Sequence, residues 1–145
     1  MTKRPLPADI KRLVAERAAG CCEYCLSQQQ FATHPFSIDH IVPLDLGGSD
    51  EPDNLALCCQ GCNNYKFTRT HAFDPKTGYS APLYHPRHDT WQEHFQWNEN
   101  FTVVIGISPT GRATVTALKL NRDSLMRQRV IYRSYGVHPP NIGDF

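Results

Sequence analysis

The chain has 145 residues, 40% of them hydrophobic and 20% charged, and a formal net charge of +1 at pH 7. That length suits one domain with a modest core, and the balance is ordinary for a soluble globular protein. The near-neutral charge argues against a uniformly basic nucleic-acid binder, so local basic clusters must carry any such role.

The N-terminal stretch MTKRPLPADIKRLVAERAAG is never apolar for long. It offers neither a signal peptide nor a membrane span, which predicts the cytoplasm. In that compartment the six cysteines are expected to be reduced or metal-bound, not disulfide-bonded. Met1 to Leu6 read as a loose arm. Ile10, Leu13, Val14 and Arg17 then recur at helical spacing, and Gly20 is a good stop.

Next comes Cys22-x-x-Cys25, half of a zinc site, whose other half is Cys59-x-x-Cys62. Two such turns can present four thiolates tetrahedrally, which suits Zn²⁺. Cys21 and Cys58 each lie beside a proposed ligand, but only the 22/25 and 59/62 pairs give a two-residue gap on both sides. Leu26 to Pro35 read as a polar connector. Phe36 to Leu44 read as a strand bending at Pro43, and Asp45 to Asp53 as a turn-rich loop. Asn54 to Cys58 is a short apolar run. From Gln60 onward the residues CNNYKFTRTH suit a short helix, with Lys66 and Arg69 three apart on one face.

Beyond it, FDPKTGYSAPLYHPRHD reads as a surface loop rich in Pro and Gly. TWQEHFQW suits a helical turn passing into a strand, and FTVVIGI a strand pairing with Phe95 to Trp97 as a hairpin. Ser108 to Gly111 read as punctuation, and RATVTALKL as a short helix. Asn121 is a candidate N-cap for RDSLMRQRVIYRSY, with Gly136 as its C-cap. The expected fold class is α+β: a strand–strand–helix core at about residues 20–70, stapled by the cysteines. An N-terminal helix precedes it and a hairpin-plus-helix extension, at about 80–138, follows it, all within one domain.

The stretch between the cysteine pairs carries the chemistry. Asp39-His40 sets a carboxylate beside an imidazole, and Asn63-Asn64-Tyr65-Lys66 follows the last thiol. Phosphodiester hydrolysis needs a base to activate water, a divalent cation to stabilise the charged transition state and cations to hold the backbone. A neutral imidazole at His40 can be the base near pH 7, and Asp39 offers a hard oxygen to Mg²⁺ or Mn²⁺. Neighbours on a strand point to opposite faces, so the two share a site only if the backbone bends there or the metal sits at the strand edge.

DHIVPLDLGG followed by DNLALCCQGCNNYK resembles the HNH endonuclease family, with its ββα-metal fold. The CEYC and CQGC pairs resemble its zinc-stapled branch. The motif spans Cys22 to Lys66. PLYHPR, W-x-x-HF and GRATV also resemble a C-terminal extension found on many small bacterial HNH proteins. The resemblance implies His40 as general base, with Asp39 and Asn63 holding the catalytic Mg²⁺ or Mn²⁺. It implies Asn54 as a brace that orients His40 by hydrogen bonding, and Lys66 as a phosphate contact. The implied partner is DNA, in double-stranded form. Lys66, Arg69, Arg87 and Arg127 are candidate contacts, and the arginines of the last helix read equally as a solvated helix face. The alternative is a zinc-stapled module that binds nucleic acid or protein without cutting it. His71, His85, His88, His94 and His138 have no such frame and read as surface or core. Trp91, Phe95 and Trp97 read as core aromatics.

Overall fold

Helix α1, Ala8–Arg17, lays Val14 onto strand β2, Leu55–Cys58, and the four β2 residues are all buried. Val14, Ala18, Leu55 and Leu57 form one apolar cluster, with Ile10, Phe36 and Ile38 against it. Strand β1, Ser37–His40, pairs antiparallel with β2, setting Asp39 opposite Ala56 and His40 opposite Leu55. Helix α2, Gln60–Lys66, follows directly, with the Cys59 sulfur accepting from the Cys62 amide at its N-terminus. The computed structural model describes residues 5–141; residues 1–4, most of the expected N-terminal arm, and the last four residues of the tail lie outside it.

The second half carries two more hairpins. Strand β3, His71–Phe73, pairs with β4, Ser80–Pro82, where the sequence reads as surface loop. The Pro and Gly punctuation there marks the turn between two strands instead of an unpaired loop: Asp74 caps it by accepting from the Lys76 amide and the Thr77 hydroxyl. Helix α3, Trp91–His94, passes into β5, Phe95–Trp97, which pairs with β6, Val104–Gly106, as the hairpin pattern predicts.

Helix α4, Pro109–Ala117, starts within the segment expected to be punctuation. Ser108 is its N-cap, accepting from the Gly111 amide at 2.9 Å, and Pro109 at the first position supplies a φ suited to a helix start. Gly111 is required by packing, since a Cβ there would lie 1.9 Å from the His94 carbonyl oxygen. Helix α5, Asp123–Ser134, begins after Arg122, so Asn121 is not its cap. The Asn121 side chain plugs the edge of β6 instead, exchanging bonds of 2.7 and 2.8 Å with the Val104 amide and carbonyl. A buried strand edge outcompetes a solvated helix end for that side chain, because an unmade buried hydrogen bond costs more.

The larger apolar cluster joins both halves. It runs from Cys22, Tyr24 and Cys62 through Tyr84, Trp91 and Phe95 to Leu118, Leu120 and Leu125. No helix among the described residues is long and apolar enough to cross a membrane.

Candidate active site and metal centre

The tight turns at Cys22–Cys25 and Cys59–Cys62 bring four buried sulfurs within 4.8 Å of one another. Cys25 and Cys59 sulfurs are 3.7 Å apart. A tetrahedron with metal–sulfur bonds of about 2.3 Å has edges of about 3.8 Å, so the donor set and spacing fit a closed four-thiolate site. Cys21 and Cys58 are outside this cluster, and the Cys21 thiol turns to the Ala19 carbonyl at 3.6 Å. Arg122 lies over the outer side of the cluster. Its guanidinium donates to the Cys59 sulfur at 3.4 Å and to the Cys62 sulfur at 3.6 and 3.7 Å, and it also bonds the Leu118 and Lys119 carbonyls. Motif reasoning gave Arg122 no such role, because its partners are about sixty residues away in sequence.

The first knuckle reaches the Asp-His pair through Tyr24. Its hydroxyl donates to Asp39 Oδ2 at 2.7 Å, and its carbonyl accepts from the Trp91 indole at 3.3 Å. Asp39 is 5% exposed. Its second partner is Lys66, whose ammonium lies 3.1 Å from Oδ2 and 3.3 Å from Oδ1. Lys66 also donates to the Ile41 carbonyl at 3.1 Å and is 1% exposed. Lys66, expected as a phosphate contact, is therefore a buried partner of Asp39 and has no face for a phosphate. Helix α2 ends at Lys66, so Lys66 and Arg69 do not share a helix face. Burial raises the Asp39 carboxyl above its ordinary range, against the opposing pull of the Lys66 ammonium and the Tyr24 hydroxyl.

His40 ends β1, and the chain bends immediately after it. Its Nε2 is 2.7 Å from Asp50 Oδ1. A carboxylate accepts, so Nε2 carries the proton and Nδ1 presents its lone pair. Asp50 was not singled out from sequence, although it follows the Gly-Gly-Ser turn that returns the chain toward His40.

Asn54 braces that loop and makes no hydrogen bond to His40. Its Oδ1 accepts from the Val42 amide at 2.9 Å, while its Nδ2 donates to the Val42 and Ser49 carbonyls at 2.9 and 2.8 Å. The carboxamide thus ties Val42 to Ser49, next to the Asp50 that bonds His40. Gly48 is needed in the same turn, since a Cβ there would meet the Val42 oxygen at 1.8 Å.

A cleft of about 340 Å³ opens where β1, the loop after it and the end of α2 meet. Asp39, His40 and Asn63 all line it, with Asp45, Asn64, Phe67 and Thr68. The alternation of β1 does not separate Asp39 from His40, because the cleft lies at the strand's end, where the backbone bends. Asp39 Oδ1 keeps a free acceptor position beyond Lys66, and the Asn63 carboxamide has no hydrogen-bond partner among the described residues. Two hard oxygens on one cleft fit Mg²⁺ or Mn²⁺.

The other candidate cations are dispersed. Arg87 pairs with Glu23 on the first knuckle, and its pKa is lowered to about 10 by burial and the neighbouring Arg17 charge. That pairing, not phosphate, occupies the guanidinium. Arg69 is exposed and bonds the Tyr65 and Ala117 carbonyls; Arg127 is exposed on α5. Arg129 is buried under Trp97, its guanidinium carbon 5.2 Å from the ring. None of the other histidines lines the cleft: His94 bonds Ser108, His138 bonds the Phe101 carbonyl, and His85 stacks on His88.

Residues 22–69 match the model of the HNH endonuclease family, consistent with the resemblance carried by DHIVPLDLGG and CQGCNNYK. Among curated proteins, none matches the chain.

Proposed function

We propose that the protein is an HNH endonuclease that hydrolyses DNA phosphodiester bonds on a ββα-metal core, the chain forming one domain. The observation that carries this reading is the shared cleft: Asp39, His40 and Asn63 face one space, and His40 is held by a carboxylate that fixes its tautomer. The acidic lining gives a second argument. Asp45, beside an Asp39 whose charge Lys66 only offsets, would repel a phosphodiester unless a cation lay between. A Mg²⁺ or Mn²⁺ held by Asp39 and Asn63 would supply that charge and Lewis-acid stabilisation of the developing oxyanion.

The chain's own residues do the rest. His40 Nδ1 takes the proton from the attacking water. Asp50 holds the Nε2–H and stabilises the imidazolium formed. Asp39, kept in place by Tyr24 and Lys66, and Asn63 offer the oxygens that hold the cation. Asn54 keeps the Val42 to Ser49 loop in the shape that presents Asp50. The four thiolates would hold a structural Zn²⁺, and the first pair flanks Tyr24, whose hydroxyl bonds Asp39.

One observation favours the non-catalytic alternative. The Lys66–Asp39 pair could be purely structural, leaving the fold as a zinc-stapled binding module. A plasmid-nicking assay with Mg²⁺ or Mn²⁺, beside an EDTA control and His40→Ala, separates the two. Cleavage that needs both metal and His40 supports the nuclease. Folded, zinc-loaded protein that never nicks DNA leaves the binding module.

A further inference from the structure

Helix α2 ends in a turn whose backbone asks for glycine. Phe67 has φ 53° and ψ −123°, and the Arg69 amide donates to the Lys66 carbonyl at 3.0 Å across it. This is type II′ geometry with Phe67 at the first central position, where glycine is the residue of choice. A bulky side chain there is strained and persists only because its surroundings over-determine it. Buried Lys66 pins one side, and the Phe67 amide bonds the Asn63 carbonyl at 2.9 Å. Packing does not explain the choice of residue, since Phe67 is 74% exposed. It stands on the wall of the cleft lined by His40 and Asn63.

We propose that Phe67 is a base-stacking residue that holds an unstacked nucleobase beside the phosphodiester in the cleft. This rests on the nuclease reading for the identity of the cleft's ligand. The cleft offers acidic and amide groups suited to a cation-bridged phosphate, and its rim offers a flat apolar face. A nucleotide has both chemistries on one unit. In a regular duplex the base faces are covered by their neighbours, so an outward aromatic can stack only on a base that is unpaired or opened. The preferred substrate therefore has single-stranded character at the cut. Thr68 and Arg69, both exposed, follow Phe67 in the chain, and Thr68 lines the same cleft.

The test uses zinc-loaded His40→Ala protein with Mg²⁺ present, so that the cation is available and binding is read without cleavage. A fluorescent 20-nucleotide single strand and the same sequence fully paired are titrated against this parent and against its Phe67→Gly, Phe67→Leu and Phe67→Trp variants. Phe67→Gly should unfold at the same or a higher temperature, because it relaxes the turn. It should weaken single-strand binding on the order of tenfold and duplex binding less than twofold. Phe67→Leu should resemble Gly, and Phe67→Trp should bind like the parent with its fluorescence quenched by the strand. Single-strand affinity unchanged in Phe67→Gly, or lost equally for both substrates, overturns the proposal. If wild type never cleaves DNA, the nuclease reading fails while the stacking result stands or falls on these titrations. If it cleaves and Phe67→Gly binds normally, only the stacking proposal fails.

Discussion

The Lys66 ammonium sits 3.1 Å from Asp39 Oδ2, and neither residue reaches solvent to any useful extent. The last residue of α2 is thereby tied to the strand that ends in His40. Two charges taken out of water together need each other: removing one leaves the other uncompensated in a medium of low polarity. Lys66→Met should therefore destabilise the fold by about 3 kcal/mol or more, far beyond the effect of losing a surface cation. Urea unfolding followed by circular dichroism measures it. A loss under about 1 kcal/mol would return Lys66 to the list of solvated charges.

Asp50 offers a separable test of how His40 is held. It is 61% exposed by side chain, so Asp50→Asn should barely change stability. A carboxamide can accept from Nε2 or donate to it, so the imidazole is no longer confined to the tautomer that frees Nδ1. Nicking should fall on the order of tenfold, against the ~10²–10⁴-fold loss expected for His40→Ala. Equal rates for Asp50→Asn and wild type, with the fold intact, would remove Asp50 from the mechanism.

What the sequence could reveal follows the range of the signal. The cysteine pairs, the Asp-His dipeptide and the face of α1 are local patterns, and the structure has a helix over Ala8–Arg17 and four clustered thiols where those patterns lie. The pairing of Arg87 with Glu23 joins positions 64 apart, and Arg122 reaches Cys59 across 63. No local pattern encodes such partners. Lys66 sits at a position the family resemblance assigns to phosphate, yet its burial depends on where β1 places Asp39. Asn121 carries a genuine capping signal, and loses it to the open edge of β6.

Arg122 bears on how firmly a metal on the four thiolates would be kept. Four thiolates around Zn²⁺ carry a net negative charge, and N–H donors aimed at sulfur offset it. Arg122→Met should hasten zinc transfer to a chromogenic chelator by about tenfold or more. Arg122→Lys, with one compact donor head, should fall between. Cys59→Ser should lose zinc and stability together, because binding and folding are coupled, whereas Cys58→Ser should keep a full equivalent of zinc. Unchanged release from Arg122→Met would make its sulfur contacts incidental.

The link between the β3–β4 hairpin and α4 has a pH signature. Arg112 grips both Asp74 oxygens at 2.9 Å, and that pairing holds the Asp74 carboxyl well below the usual carboxylate range. A depressed acid binds fewer protons in the folded chain than in the unfolded one. Its stabilisation is complete above the ordinary carboxylate value, about pH 4, and is lost as pH falls through the lower folded value. Asp74→Asn should therefore be less stable than wild type at pH 7, with the gap narrowing progressively below pH 4. Urea midpoints at pH 7, 4 and 3 measure this, and a constant gap across the three would contradict it.

Asn63 bears on which metal supports cleavage. Its carboxamide and the Asp39 carboxylate line one cleft and offer only oxygen. The remaining positions fall to water and phosphate oxygens, an arrangement that suits Mg²⁺ and Mn²⁺. Softer ions prefer nitrogen or sulfur, so Zn²⁺ should settle on the four thiolates and support cleavage poorly. Nicking should therefore proceed with Mg²⁺ or Mn²⁺ and barely with Zn²⁺ or Ni²⁺. Asn63→His replaces an oxygen by an imidazole nitrogen on the same helix position and should move the preference toward Ni²⁺ or Zn²⁺; Asn63→Ala should nearly abolish cleavage. Asn54→Ala frees the Val42 to Ser49 loop and should slow cleavage with every metal alike, since its bonds are to backbone and not to the cleft. The assay is a nicking rate across the four metals for each variant. A metal preference that shifts with Asn54→Ala and not with Asn63→His would exchange the roles of the two asparagines.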